Sequence, residues 1–119
     1  MPILFTALLL AAAQDAPPEA RRLAKPLQPH NPASWLTDRD YPRTALRLRM
    51  QGSTGFRLDI AADGKVTGCT VVATSGSELL DTTTCKLLLR RAHFSPAEDS
   101  RGNRIPATYT SRFRWSLPR

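Results

Sequence analysis

The stretch IPATYTSRFRWSL, residues 105–117, decides the fold of this 119-residue chain. It alternates between apolar and polar side chains, and this period of two is typical of a β-strand with one buried face. The face toward the core would carry Ile105, Ala107, Tyr109, Ser111, Phe113, Trp115 and Leu117. The face toward solvent would carry Thr108, Thr110, Arg112 and Arg114. So long a strand needs a sheet to pair with, and the preceding residues must supply it.

A hairpin precedes this strand. Residues 56–60 and 66–74 both alternate, and Asp63-Gly64 stands in the turn between them. Asp-Gly tolerates the positive φ angles of tight turns, so the two segments are predicted to pair as antiparallel strands. Gly68 would permit a bulge in the second strand, between Val66 and Cys69.

Two helices are predicted, one on each side of the hairpin. Pro42 suits the first turn of a helix, which Gln51-Gly52 would end. The second helix has three alternative caps, Ser75, Ser77 and Asp81, and it would end before Phe94-Ser95-Pro96. Its core stripe would contain Cys85, Leu88, Leu89 and Ala92. A polar loop over residues 99–104 would then lead into the last strand.

The N-terminal third differs in composition from the rest. Residues 1–13 form an apolar segment that is too short to span a bilayer, which takes about 20 residues, and that suits a secretory signal peptide. Residues 14–40 are rich in proline and balanced in charge, which predicts an extended linker. Within it, Trp35-Leu36 is expected to pack on the edge of a domain spanning residues 41–119.

Cys69 and Cys85 are the only cysteines. In an exported protein, an even cysteine count favours a structural disulfide, with two buried thiols as the alternative. The pattern lacks the Cys-x-x-Cys spacing of redox pairs, and His30 and His93 have no metal-ligand spacing to the cysteines.

The net charge of +7 lies in the predicted domain. Such a charge suits an acidic protein partner, an anionic surface or nucleic acid. Nucleic-acid binding is not favoured, because the aromatic residues of the last strand share its core face while Arg112 and Arg114 lie on the other. Asp59, Asp63 and His93 are explained by solubility, turn geometry and packing. We therefore expect a binding domain that is not an enzyme and has no cofactor or metal.

The punctuating residues resemble those of the TonB C-terminal domain family. The pattern Tyr-Pro…Ala…Gly matches Tyr41, Pro42, Ala45 and Gly52, and Asp-Gly-x-Val matches Asp63, Gly64 and Val66. The start and end of the second helix match at Leu80-Asp81 and at Phe94-x-Pro96. The resemblance implies an α+β fold in which a three-stranded antiparallel sheet carries two helices on one face, in the order helix–strand–strand–helix–strand.

The resemblance also implies a function. Domains of this family bind a short extended segment, the TonB box of outer-membrane receptors, by adding it to the last strand of the sheet. Here that strand would use Thr108, Thr110, Arg112 and Arg114 to bind an extended segment of an outer-membrane receptor or of another envelope protein. A second copy of the chain is an alternative occupant of the same edge. The implied location is the periplasm. Two alternatives stay open, namely a full energy transducer with an uncleaved or longer N-terminal anchor, and a basic domain that binds an anionic surface or nucleic acid.

We predict cleavage after Ala13, because Ala11-Ala12-Ala13 places small residues where signal peptidase requires them. N-terminal sequencing of the exported protein should then begin at Gln14. Recovery of intact Met1 in the membrane fraction would instead support the anchored transducer.

Overall fold

The structure is a computed structural model and describes residues 23–118. The predicted signal peptide and the first part of the predicted linker lie outside these residues. In chain order, the elements are β1 (Leu23–Lys25), β2 (Gln28–Pro29), 3-10 turns at Pro32–Ser34 and Asp38–Asp40, α1 (Arg43–Arg47), β3 (Gly52–Ile60), β4 (Val66–Ala73), α2 (Glu78–Arg91), β5 (Phe94–Ser95), β6 (Ala97–Asp99), β7 (Arg104–Ile105) and β8 (Ala107–Trp115). The predicted order helix–strand–strand–helix–strand is confirmed by α1, β3, β4, α2 and β8, and the short strands β1, β2, β5 and β6 are additional to it.

The main sheet is antiparallel, with β3 between β4 and β8. The inner face of β3 is buried through Thr54, Phe56, Leu58 and Ile60, and α2 packs over β4 and β3. This is the predicted α+β arrangement. It follows from the alternation of the strands, which gives the sheet one apolar face that a helix must cover.

The hairpin between β3 and β4 has the predicted turn and bulge. Gly64 has a φ of 89°, and a Cβ atom at this position would collide with the carbonyl oxygen of Phe94. The pairing shifts between Asp59↔Gly68 and Ile60↔Val66, so Thr67 is the extra residue of the bulge. Glycine at 64 is thus required both by the turn and by the chain that packs against it.

Helix α1 is shorter than predicted. It ends at Arg47 instead of reaching Gln51, because Arg49 adopts a left-handed φ of 52° and the N–H of Met50 turns back to the carbonyl of Ala45, at 2.8 Å. This is an ordinary way to close a helix. As a result, Leu48 is exposed to solvent, whereas the apolar pattern of the sequence predicts that it lies within the helix.

Helix α2 turns only part of the predicted stripe toward the sheet, since Leu88 and Ala92 are buried but Leu89 is not. Ser77 is its cap and accepts a hydrogen bond from the N–H of Leu80 at 3.2 Å. The buried positions are Leu80, Asp81, Thr84 and Leu88, with Ala92 just beyond the helix. Leu89, predicted to be in the core, is 46% exposed. The pattern does not predict the whole buried stripe, because two of its members, Asp81 and Thr84, are polar and give no hydrophobic signal.

The last strand is interrupted. Pro106 separates β7 from β8, since proline has no N–H to donate to a ladder. The predicted polar loop over residues 99–104 is a small hairpin between β6 and β7, in which the Asp99 carboxylate accepts from the N–H groups of Arg101 and Asn103. The face assignment of β8 is as predicted, with odd-numbered side chains facing inward and Trp115 buried.

Residues 23–36, the N-terminal strap, pack on the domain. β1 pairs with β6 and β2 pairs with β5, and Trp35 and Leu36 are buried in the core. The extended linker predicted for residues 14–40 is therefore wrong over residues 23–40, because apolar side chains in this segment find a place in the core. The packing of Trp35-Leu36 on the domain is confirmed.

The buried carboxylate of Asp81 joins the helix to the sheet. It accepts hydrogen bonds from the hydroxyl of Thr54 at 2.8 Å, the hydroxyl of Thr74 at 2.5 Å and the N–H of Ser75 at 3.0 Å. Burial raises the pKa of Asp81, but the bonds from Thr74, Ser75 and Thr54 outweigh it and hold the pKa below its usual value. The carboxylate therefore stays ionised at neutral pH, within the first turn of α2, where the helix dipole favours it.

Cys69 and Cys85 form a disulfide that joins β4 to α2, with their Cα atoms 5.5 Å apart. The predicted pairing is confirmed. The bond clamps the helix to the outer strand of the sheet, on the side opposite to β8.

We expect removal of this disulfide to destabilise the domain by about 3 kcal/mol, the chain-entropy value for a loop of about 15 residues. Urea unfolding of the parent with and without dithiothreitol would measure the loss. The double variant Cys69→Ser/Cys85→Ser is the control, and it should unfold identically in both conditions. A parent protein that is equally stable when reduced would contradict the prediction.

We expect Asp81→Asn to lower the free energy of unfolding by about 1.5 kcal/mol at pH 7, because a neutral amide loses charge-assisted hydrogen bonds while keeping the shape. The folded pKa of Asp81 lies below its unfolded value of about 3.9. The contribution is therefore fully present above the unfolded pKa and is lost as the pH falls through the folded pKa. The stability difference between parent and variant, measured by urea unfolding, should be constant from pH 5 to 7 and shrink below about pH 4. A difference that does not vary with pH would show that the charge is irrelevant.

Candidate binding edge

Strand β8 lies at one side of the main sheet. Its pairing with β3 runs without a register shift from Gly52↔Trp115 to Ile60↔Ala107. Within residues 23–118, no strand pairs with β8 on its other side. An edge of this kind presents unpaired N–H and C=O groups to whatever approaches.

The direction of these backbone groups follows from one hydrogen bond on the far side of β3. The hydroxyl of Thr67 donates to the carbonyl of Asp59 at 3.2 Å, so that carbonyl points toward β4. In an antiparallel ladder, a residue that turns its backbone away from one neighbour forms a non-hydrogen-bonded pair there, and its partner also points away. Asp59 is paired with Thr108. Thr108 therefore directs its own N–H and C=O outward.

The same direction recurs at every second residue of β8. The register with β3 is unbroken, so the backbone groups of Thr110, Arg112 and Arg114 face the open side as those of Thr108 do. Leu117 lies an odd number of residues after Thr108, so its N–H should point the other way, toward β3. It does, because the side-chain oxygen of Gln51, next to the start of β3, accepts this N–H at 3.3 Å. The four predicted site residues are thus those whose backbone faces outward.

The side chains of the same four residues are exposed on the outer face of the sheet. Across from them on β3, Arg57 lies 3.9 Å from Asp59 in a half-exposed ion pair. Arg112 and Arg114 form no ion pair with any residue of the described chain. The edge therefore carries positive charge that nothing in residues 23–118 neutralises.

A cleft opens beside the inner face of β8, and we call it the Ser111 cleft. It has a volume of about 80 Å³. Its walls and floor are Trp35 and Leu36 of the strap, Tyr109, Ser111 and Phe113 of β8, Phe56 of β3 and Leu88 of α2. It forms because Ser111 is small, while Tyr109 and Phe113 on either side of it are large. Exposed Arg112 and Pro32 also line it, so it opens to solvent next to the strand edge.

The strap is held in place against β8 by several contacts. The indole ring of Trp35 lies 5.3 Å from Phe94 and 6.2 Å from Tyr109, between ring centroids. The guanidinium of Arg91 donates to the carbonyl of Trp35 at 3.0 Å and to the Asp40 carboxylate at 2.8 Å. The bond to Arg91 holds the pKa of Asp40 below its usual value. Sequence reasoning found the strap at Trp35-Leu36 but missed the cleft, since nothing in the sequence says which strand the strap lies against.

The sheet has a second edge, on β4, which the sequence pattern does not predict. Its ladder with β3 shifts register twice, between Gly55 and Phe56 and between Asp59 and Ile60. Bulges twist an edge and discourage a further strand from pairing. The two edges therefore differ, and β8 presents the straighter template.

The other polar residues considered in the sequence have structural roles. The Asp63 carboxylate accepts the N–H of Lys65 at 3.0 Å within the hairpin turn, and the His30 ring lies 2.6 Å from the hydroxyl of Ser95. Asp59 and Asp63 do not form a paired site. Across the described part of the chain, no three His, Cys, Asp or Glu side chains are grouped so that they could hold a metal ion.

At the family level, the sequence matches the C-terminal domain of the Gram-negative bacterial TonB protein over residues 37–117. The chain belongs to this family. Among solved structures, it is similar to the TonB C-terminal domain of Pseudomonas aeruginosa, determined in solution by NMR, with 20% identity and a TM-score of 0.57 over 78% of this chain and 88% of that one. The TonB C-terminal domain of Helicobacter pylori, also an NMR structure, has 20% identity and a TM-score of 0.49 over 66% and 69% of the two chains. No curated protein is similar enough in sequence to count as a match.

The likeness to the Pseudomonas domain supports the TonB C-terminal fold. Within residues 23–118, no helix has the length and apolar character needed to cross a membrane.

Proposed function

We propose that this TonB C-terminal domain acts in the periplasm, where β8 binds an extended segment of an outer-membrane receptor by strand addition in support of energised transport. The observation that carries the proposal is the outward direction of the backbone at Thr108, Thr110, Arg112 and Arg114. Each of these residues offers one donor and one acceptor, which an extended peptide satisfies by continuing the ladder.

The binding edge is prepared before a partner arrives. Trp115 anchors one end of β8, since its indole N–H donates to the hydroxyl of Thr84 on α2 at 2.9 Å. Toward the other end, Tyr109 packs on Phe94 with ring centroids 5.1 Å apart. A strand held at both ends loses little conformational freedom on binding, and this favours affinity for a flexible peptide.

Charge on the edge favours an acidic partner. Arg112 and Arg114 are exposed and lack an acidic neighbour among the described residues. Exposed charges of this kind speed the encounter more than they tighten the complex. The receptor segment is therefore expected to carry Asp or Glu, with faster association at low salt.

The domain is a binding module in this proposal, and it performs no catalysis. The hydrogen bonds of Asp81 link α2 to the sheet, and those of Asp63 and Asp99 close turns. These carboxylates are thereby assigned to the fold and leave the edge of β8 as the functional surface.

We expect Thr110→Pro to weaken binding of a receptor-derived peptide by about tenfold or more, because it removes an outward donor and distorts the edge. The loss of the donor should leave the ladder to β3 in place, because proline is tolerated where the missing N–H faces solvent. Fluorescence anisotropy of a labelled peptide would measure the affinity. Thr110→Ala, which keeps the N–H group, is the matched control and should bind within about twofold of the parent.

Arg112→Ala should show a smaller loss, of about threefold at low salt, which disappears as salt is added. Circular dichroism must show that each variant is folded. If folded Thr110→Pro binds the peptide as well as the parent does, strand addition at β8 is wrong. Pairing of two copies through β8 would appear instead as a dimer of the parent that Thr110→Pro dissociates.

A further inference from the structure

We propose that the Ser111 cleft receives an aliphatic side chain of the added strand, so that the domain selects segments in which an acidic and an aliphatic residue lie an odd number of positions apart. The inference rests on the proposed function, since it concerns the strand that β8 binds. It adds a rule of residue spacing to a mode of binding that otherwise relies on backbone hydrogen bonds and a general preference for acidic residues.

The chemistry of the cleft favours an aliphatic group. Its walls are aromatic and aliphatic, and its one small polar member, Ser111, is half-buried at the bottom of the gap between Tyr109 and Phe113. Its volume of about 80 Å³ is several times the roughly 15 Å³ that a cavity needs to hold one water molecule. A branched side chain such as that of valine fits this space, and a carboxylate there would lose its hydration without gaining a partner.

The position of the cleft suits the incoming strand. Residues opposite each other in an antiparallel pair place their side chains on the same face, with Cβ atoms about 5 Å apart. A residue that pairs with Ser111 would thus extend its side chain on the inner face, next to the opening of the cleft. The strap forms the far wall through Trp35, which is itself held by Arg91.

The opposite face of the added strand meets charge. Residues that pair with Arg112 or Arg114 would project on the outer face, where these two guanidinium groups are exposed and unneutralised by the described residues. Charge complementarity therefore favours Asp or Glu at such positions and opposes Lys or Arg.

The two preferences together impose a spacing. Side chains of a strand alternate between faces, so an inward aliphatic residue and an outward acidic residue are separated by an odd number of positions. Pairing with Ser111 and Arg112 gives a separation of one, and pairing with Ser111 and Arg114 gives three. A slip in register cannot rescue an even separation, because each one-residue shift moves every side chain to the other face.

The test uses the full chain and synthetic peptides of Thr and Ser, each with one Glu and one Val. In one pair of peptides Glu and Val are one or three positions apart, and in the other they are two or four apart. The odd-spaced peptides should bind several-fold more tightly, because an even-spaced peptide must either leave Val outside the cleft or place Glu on the inner face, against apolar side chains and away from Arg112 and Arg114. Changing Val to Ala in an odd-spaced peptide should remove most of that advantage.

A change in the protein separates the cleft from the edge. Ser111→Val fills the cleft while keeping a residue suited to a strand, and it should bring odd-spaced and even-spaced peptides within about twofold of each other. Thr70→Val places the same side chain on an exposed position of β4, and it should leave the preference unchanged.

The outcomes distinguish the two proposals. If amide NMR shifts along β8 show that all peptides bind there with equal affinity, strand addition stands and the selection rule is overturned. If no peptide perturbs β8, both proposals fail. A preference that survives in Ser111→Val would show that the cleft does not cause it, and this result also overturns the inference.

Discussion

The carboxylate of Asp81 ties together parts of the chain that are far apart in sequence. Its oxygens accept hydrogen bonds from Thr54 on β3 and from Thr74 and Ser75 in the loop that leaves β4. A buried charge without such partners would be strongly destabilising, so the helix can pack on the sheet only where these three donors converge. This group therefore helps to set the position of α2 along the sheet, together with the Cys69–Cys85 disulfide.

The contacts around Asp81 determine where the sheet begins and ends. The Ser75 residue that Asp81 holds lies so close to Gly52 that a Cβ atom there would collide with the Ser75 carbonyl. Gly52 pairs with Trp115, and one turn beyond Asp81 the helix presents Thr84, which accepts the Trp115 indole N–H. The ring of Tyr41 packs edge-on against the same indole at 5.3 Å. Through these contacts the helix fixes the C-terminal end of β8, and a fixed edge is what strand addition requires.

The sheet has two edges that differ in shape and support. β4 is bulged at Thr67 and bonded to α2 through the Cys69–Cys85 disulfide, whereas β8 keeps its register with β3 throughout. An edge that stays regular is a hazard for aggregation unless it is short or charged. Arg112 and Arg114 supply such charge. It repels the same positive edge of a second copy and attracts an acidic segment, so the same two side chains would limit aggregation and favour the proposed partner.

Sequence by itself determined the order of elements and which face of each strand turns inward, since alternation, the Asp63-Gly64 turn and the family pattern are local signals. It also predicted the cysteine pair and the four residues of the β8 edge. Tertiary structure alone decided the stripe of α2, because Asp81 and Thr84 are buried by hydrogen bonds and not by hydrophobicity. It likewise decided the docking of the strap and the existence of the Ser111 cleft. These features arise where residues distant in sequence meet, as Trp35 does with Tyr109, and no local pattern specifies which distant surfaces come into contact.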